Sequence, residues 1–304
     1  MEASARITCQ FLGLKEGDTA LLCLPLDYIA GKMMVVRALT CGLKLISVPP
    51  NGHPLSMLHA QLIPDFAAMV PLQVWNSLQV PEEHERLKQI RNLIIGGGAI
   101  DDALAQQLKD FPNAVWSTYG MTETLSHIAL RRLNGPNASE WYTPFEGVKI
   151  SLNDEGCLVI DAPAVHEGPL ITNDIATFKS QTSNFKHQIS NLKPQTSNLF
   201  RILGRKDNVI CSGGIKVQAE EVERLLRPYL KAPFCVTRMK DSRLGEAVVL
   251  LTEENDAEAL RPLCEQVLPR LWKPRHYIST DRIPLTETGK VARHEAEEKC
   301  VRKR

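Results

Sequence analysis

Ser117-Thr118-Tyr119-Gly120-Met121-Thr122-Glu123-Thr124 packs hydroxyls, an aromatic ring and a carboxylate into one short stretch. A hydroxyl such as that of Thr122 can hydrogen-bond a phosphate oxygen. The Glu123 carboxylate can hold the Mg2+ that neutralises that phosphate. The face of Tyr119 can stack on a purine. Upstream, Leu93-Ile94-Ile95 runs into Gly96-Gly97-Gly98-Ala99, a turn that lets backbone approach a ligand closely. It lacks the G-x-G-x-x-G spacing and following acid of a dinucleotide fold. Asp174, in Thr172-Asn173-Asp174, could accept from both hydroxyls of a ribose. Leu203-Gly204-Arg205-Lys206-Asp207-Asn208 leads through Gly213-Gly214 into a stretch with Glu220 and Glu221 in its first turn. Lys290 follows Gly289 on a polar loop, where a mobile ammonium is a good point charge for a phosphate under attack. Taken singly, each segment also matches an ordinary turn, a capped helix or a solvated lysine.

The elements that must position these residues alternate. Thr19–Leu26, Lys44–Val48, Leu93–Ile95 and Ala114–Ser117 read as buried strands. Ile29–Cys41 and Asp101–Lys109 read as helices, with Asp101 in place to cap or charge the first turn of the second. Ala5, Thr8, Cys9 and Leu12 follow helical spacing, and Gly13 can end that helix. The pattern predicts α/β architecture with largely parallel sheet. After residue 140 it changes: Val148–Leu152 and Cys157–Asp161 flank Asn153-Asp154-Glu155-Gly156, a hairpin signal. From Val209 the chain reads turn, helix (Ala219–Leu226), strands (Phe234–Met239, Ala247–Thr252), helix (Ala257–Leu268) and strand (Tyr277–Ser279), a smaller α+β unit. The expected division is a large domain over 1–205 and a mobile C-terminal domain over 206–304. Residues 179–198 repeat a seven-residue unit, Gln181-Thr182-Ser183-Asn184 returning as Gln195-Thr196-Ser197-Asn198. One strong apolar residue in most units and Pro194 make too thin a seam for a coiled coil, so the stretch reads as a disordered surface insertion.

Net charge is +1, and the short Arg302-Lys303-Arg304 tail is the one block of like charge. Neither nucleic acid nor an anionic membrane surface is an implied partner. The eight cysteines form no Cys-x-x-Cys pair, which argues against a zinc site or disulfide framework and suits a reducing cytoplasm.

In their order along the chain, the glycine loop, Tyr-Gly-Met-Thr-Glu, Thr-x-Asp, Gly-Arg-x-Asp with its glycine turn, and Thr-Gly-Lys resemble the adenylate-forming superfamily of acyl-CoA synthetases, adenylation domains and luciferases. The likeness covers nearly the whole chain outside the repeat. Within it, Leu24-Pro25-Leu26-Asp27-Tyr28-Ile29-Ala30-Gly31, Arg37-Ala38-Leu39 and Gly120–Ala129 are most similar to the o-succinylbenzoate–CoA ligases of menaquinone biosynthesis. The resemblance implies ATP, Mg2+ and coenzyme A together with a small-molecule carboxylate: the acid attacks the α-phosphate of ATP to give acyl-AMP and pyrophosphate, the small domain rotates, and the CoA thiol attacks the acyl carbon and releases AMP. It implies that Gly97, Gly98 and Tyr119 line the adenine pocket, that Thr122 touches phosphate, and that Glu123 holds magnesium. Asp174 and Arg205 would hold the ribose, Asp207 would be the hinge, and Gly213 and Gly214 would border the CoA tunnel. Lys290 would stabilise the adenylation transition state. Arg37 would pair with the second carboxylate of the acid, in an acyl pocket that also includes Tyr28, Ser126 and His127.

Two departures stand out. Tyr28 occupies a position where the family often has histidine. The family's Ser/Thr/Gly-rich phosphate loop ending in Pro-Lys has no counterpart; it would precede the segment matching Met1, which reads as an internal methionine of a longer parent. A slower adenylation step with a surviving thioester step is the expectation, since those backbone amides cradle the β- and γ-phosphates. Other readings are a ligase for another aryl or acyl acid, an adenylation domain serving a carrier protein, or a non-catalytic remnant. A homodimer is one assembly all of these allow.

Overall fold

The computed structural model describes residues 1–59, 61–98, 100, 102–179, 198–286 and 291–302. Asp101, residues 180–197 of the repeat and Lys290 lie outside them. The described chain divides into two compact units. Unit 1 comprises Met1–Asn153, Val159–Thr172 and Phe178–Arg201; unit 2 comprises Asp154–Leu158, Asn173–Thr177 and Ile202–Arg304.

Unit 1 opens with helix α1 (Glu2–Leu12), which buries Ser4, Ala5, Thr8, Cys9 and Leu12, one stripe at helical spacing. It stops at Gly13, whose φ of 64° turns its N–H back onto the Cys9 and Gln10 carbonyls, a left-handed cap that glycine adopts without strain. Strand β1 (Thr19–Leu22), helix α2 (Ile29–Cys41), strand β2 (Lys44–Ser47) and strand β3 (Phe66–Met69) follow. Next come helices α3 (Pro71–Gln79) and α4 (Pro81–Gln89), strand β4 (Asn92–Ile95), helix α5 (Asp102–Leu108) and strands β5 (Ala114–Gly120), β6 (His127–Arg132) and β7 (Thr143–Pro144). The sheet runs β2-β1-β3-β4-β5-β6-β7. The first five strands in this order are parallel, and β6 and β7 join antiparallel. Every residue of β3 and β4 is buried, as parallel strands covered on both faces require. The mixed α/β class expected from the sequence is therefore observed.

Three sequence expectations change. Strand β5 extends to Gly120, so Ser117 to Tyr119 lie in a strand and the turn begins later. The extension exists because β6, which the local pattern did not reveal, pairs with β5 from Trp116–Arg132 to Gly120–His127. Asp174 sits within a nine-residue strand, Leu170–Phe178, and not in a turn. The expected helix over 257–268 is a 3-10 turn (Ala257–Leu260) followed by an α-helix from Arg261 to Val267.

Strands β8 (Lys149–Leu152), β9 (Cys157–Asp161), β10 (Leu170–Phe178) and β11 (Phe200–Arg205) make a four-stranded sheet in the order β11-β10-β9-β8. In unit 2, β12 (Val209–Ser212) and β13 (Ile215–Gln218) form a hairpin closed by Gly213 and Gly214 at φ 58° and 82°. Positive φ at both central residues is what a twist-matched two-residue hairpin turn demands. Helix α6 (Ala219–Leu226), strands β14 (Phe234–Asp241) and β15 (Gly245–Thr252), helix α7 (Arg261–Val267), strand β16 (His276–Ser279) and helix α8 (Arg293–Arg302) complete it. The sheet order is β13-β12-β15-β14, with β16 parallel to β15. Arg293 fastens α8 by two bonds to Glu223, each 2.9 Å, while Glu223 also accepts the Val236 N–H at 2.7 Å. Among the described residues, no helix is long and apolar enough to cross a membrane.

Candidate active site

In unit 1 the residues singled out by chemistry collect where strands β4 and β5 end, the edge at which open α/β sheets commonly take ligands. Gly96, Gly97 and Gly98 continue β4. A Cβ on Gly96 would stand 2.4 Å from Thr118 Oγ1 of the neighbouring strand, and Gly97 has φ +79°. Tyr119 on β5 is braced from one side: its ring meets Phe200 edge-on at 5.3 Å and Tyr142 at 5.8 Å. Tyr142 is itself tied to Ser117, hydroxyl to hydroxyl, at 2.9 Å. The sequence thus brings Gly97, Gly98 and Tyr119 to the same ends of adjacent parallel strands.

The chain then turns sharply. Thr122 and Glu123 are exposed on a single 3-10 turn. Thr124, fully buried, is the pin of this loop: its hydroxyl accepts the Met121 N–H at 3.0 Å and lies 2.7 Å from the Ser126 carbonyl. Leu125 is held at φ 63°, and it is the only non-glycine residue with positive φ among those described. Such strain persists where surrounding bonds over-determine the backbone, and it concentrates at functional sites. Gly120 is obligatory, since a Cβ there would stand 2.4 Å from the Ser126 carbonyl oxygen.

The loop delivers Ser126 and His127 to a buried arginine. Arg37, on α2, is 2% exposed. Its Nη2 donates to Ser126 Oγ at 2.7 Å and its Nη1 lies 3.7 Å from Met34 Sδ. Its Nε has no partner, and no carboxylate among the described residues forms an ion pair with it. Burial pulls its pKa down to about 10, so it remains a cation at neutral pH. His127, at the start of β6, touches Ser126 Oγ with Nδ1 at 3.2 Å and Thr8 Oγ1 with Nε2 at 3.1 Å. Burial, and secondarily the Arg37 charge, push its pKa well below the usual histidine value. Tyr28 is not part of this cluster: it precedes the first turn of α2 with its ring two-thirds exposed, roughly 13 Å from Arg37 along the helix at 1.5 Å per residue.

Unit 2 holds the other predicted residues that the structure describes. Asp174 Oδ1 lies 3.7 Å from Arg205 Nη1, and Arg205 Nη2 lies 3.3 Å from Asp207 Oδ2. The two expected ribose ligands and the expected hinge aspartate therefore form one group. Gly213 and Gly214 are exposed at the hairpin tip, with the Gly213 N–H on the Leu244 carbonyl at 2.9 Å. Thr8 and Thr124 were not singled out by the sequence. The capping-box-like spacing of Thr124 to Met121 is a local signal that could have found the second, whereas nothing local marks the first.

A family model described as AMP-binding enzyme matches residues 2–171. Among curated proteins, the chain is 23% identical over 302 residues to a 2-succinylbenzoate–CoA ligase of Bacillus cereus, an alignment that covers 93% of this chain and 62% of the relative. Among solved structures, an acyl-CoA synthetase (AMP-forming)/AMP-acid ligase II-like protein from Dyadobacter fermentans is 31% identical, with a TM-score of 0.61, covering 98% of this chain and 83% of that one. The O-succinylbenzoate coenzyme A synthetase of Bacillus subtilis, solved with ATP and a magnesium ion, shares the fold with a TM-score of 0.72 at 20% identity, covering 96% of this chain and 64% of that one.

Proposed function

The chain belongs to the AMP-binding enzyme family, and on that premise we propose that it is an acid–thiol ligase that joins 2-succinylbenzoate to coenzyme A through an acyl-adenylate. Gly97, Gly98 and Tyr119 take the adenine, and Asp174 and Arg205 the ribose. Thr122 meets phosphate. Asp207 serves as the hinge, Gly213 and Gly214 flank the pantetheine arm, and Lys290 supplies charge to the adenylation step. Glu123 is the magnesium ligand. Among the described residues no cluster of His, Cys, Asp or Glu could hold a metal by itself. Mg2+ is usually bound by one or two carboxylates together with substrate phosphates.

Arg37 is the observation that carries the choice of acid. A buried guanidinium without an anion is costly to keep. A substrate with a second carboxylate, beyond the one activated, supplies that anion directly or through water. Ser126, already bonded to Arg37, and His127 are the neighbours on the acyl side; Tyr28 stands at the other end of the same helix.

The test is calorimetric titration of the protein with two non-hydrolysable sulfamoyl-adenosine mimics, 2-succinylbenzoyl and benzoyl. The wild type is expected to favour the first by about tenfold or more, the equivalent of one charged hydrogen bond. Arg37→Ala is expected to abolish the preference while leaving benzoyl binding in place. Equal affinities for the two mimics in the wild type would remove the dicarboxylate reading. Failure of folded protein to bind either mimic would remove the ligase reading as well.

A further inference from the structure

The contacts around Arg37 have a direction. A guanidinium only donates, so Ser126 Oγ is the acceptor in the 2.7 Å bond from Nη2. The acceptor that the protein offers the Ser126 hydrogen is His127 Nδ1 at 3.2 Å; Ser126 is half-buried, so solvent is the alternative. A neutral imidazole carries one hydrogen. With Nδ1 accepting, the hydrogen is on Nε2, and it is donated to Thr8 Oγ1 at 3.1 Å. The Thr8 hydroxyl finally donates to the Ser4 carbonyl at 3.0 Å. Every donor from Arg37 Nη2 inward meets an acceptor, and the line ends on the backbone of α1.

We infer that His127 and Thr8 are positioning residues, the inner half of a one-way hydrogen-bond chain from Arg37 through Ser126 to α1 that fixes the Ser126 hydroxyl and, through it, the guanidinium. The inference rests on the reading of Arg37 as the partner of the substrate's second carboxylate. It gives His127 a task other than substrate contact. Buried behind Ser126, it keeps that hydroxyl turned so that a lone pair faces Arg37. Were the ring to carry its hydrogen on Nδ1, both lone pairs of the Ser126 oxygen would be engaged and its hydrogen would turn away, while Nε2 would become an acceptor facing a Thr8 hydroxyl whose hydrogen is already given to Ser4. Thr8 selects against that tautomer by accepting from Nε2, as groups behind a functional histidine commonly do. The Thr8 hydroxyl spends its own hydrogen within its helix, a back-bond available to threonine there. Discrimination between acids would thus depend on a helix whose side chain never meets the acid.

The first readout needs no variant. Long-range proton–nitrogen correlation spectra of the wild-type protein report the His127 tautomer; the Nε2–H form is expected, and the Nδ1–H form overturns the inference. The second uses the two sulfamoyl-adenosine mimics with Thr8→Val, His127→Leu and His127→Gln. Thr8→Val and His127→Leu are expected to cut the preference for the 2-succinylbenzoyl mimic about tenfold, the cost of one misdirected buried hydrogen bond, and Thr8→Val, which lies outside the acyl pocket, is expected to do so with benzoyl affinity unchanged. His127→Gln, whose amide offers an acceptor and a donor, is expected to restore it. If Arg37→Ala abolishes the preference and Thr8→Val and His127→Leu retain it, the inference fails and the reading of Arg37 stands. If Arg37→Ala leaves the preference intact, that reading fails and the inference falls with it. Equal losses for both mimics mean a purely structural role and also overturn the inference.

Discussion

His127 makes the chain's stability depend on pH in a way that can be worked from its surroundings. Acidification is the perturbation. In the folded protein the ring is almost wholly buried, touches two hydroxyls, and faces the Arg37 cation across Ser126. Burial first, and Arg37 second, hold its pKa well below the ordinary 6.5. From α1 it faces Thr8, and Phe145 packs against the ring at 5.5 Å. Glu146 is the acid that lines the same cleft. Because the folded pKa is below the unfolded one, the unfolded chain binds more protons in acid. Stability is therefore complete above pH 6.5 and is lost as pH falls. As long as folded His127 stays neutral, each unit below 6.5 costs about 1.4 kcal/mol, or about 1.4 kcal/mol in all between pH 7.5 and 5.5. Carboxylates contribute too, so the quantity to measure is the difference between wild type and His127→Gln. Urea titrations followed by tryptophan fluorescence suit it. Trp75, Trp116 and Trp141 all belong to unit 1, and a Trp272→Phe background silences unit 2. The wild-type midpoint should fall by roughly 0.5–1 M more urea than that of His127→Gln across this range. Parallel decline of the two proteins would show that His127 protonates without penalty, and would refute both its neutral state and the directed chain built on it.

Three further outcomes follow from unit 2 and the site loop. Glu223→Gln leaves the part-buried Arg293 with Glu220, 3.7 Å away, as its remaining acidic partner and should destabilise unit 2 by about 1–3 kcal/mol, whereas Glu223→Leu combined with Arg293→Met should cost less than the two single changes summed; urea unfolding read from Trp272 decides, and additive losses would oppose the account. Cys211 is the one exposed thiol, while burial pushes Cys23 and Cys235 up to about 12, so a disulfide reagent at pH 8 should titrate one thiol quickly and the others slowly; two or more fast thiols would contradict the packing. Gly120→Ala should destabilise unit 1 by about 1–3 kcal/mol, because the new Cβ would stand 2.4 Å from the Ser126 carbonyl oxygen; a melting temperature equal to the wild type would show that the loop is free to move.

What the sequence could show depended on how local the cause was. The helix over Ile29–Cys41 and the glycine stop at Gly13 appear as expected because spacing and a left-handed cap are decided within a turn or two. The glycine–glycine hairpin at Gly213–Gly214 is equally local. Strand β6 and the length of β5 were not legible, since they depend on pairing across a tight loop whose shape is set by Thr124 and by a leucine at positive φ. Asp174 and Arg205 were picked out as residues, but their 3.7 Å approach is a tertiary fact. Thr8 lies 119 positions from His127, and no local rule spans that distance.

Two arginines in this chain, one buried and one part-buried, make the limit plain. Arg293 and Arg37 are the same letter in the sequence, and each sits on a helix. The first is met by both oxygens of Glu223 and stands 3.7 Å from Glu220, so its charge is answered within the fold and its work is to fasten α8. The second is given a hydroxyl and a thioether, and one nitrogen has no partner. A leucine or methionine at position 37 would fill much the same space without the desolvation cost, and replacing buried charge by apolar side chains is often neutral or stabilising. Stability therefore gives no reason for an arginine there, and a carboxylate from outside the chain gives one. The same comparison explains why Ser126 must be held so firmly. An answered cation such as Arg293 is oriented by its own counter-ion, whereas Arg37 is aimed by the Ser126 hydroxyl and a weak thioether contact, and Ser126 is only as fixed as the histidine and threonine behind it.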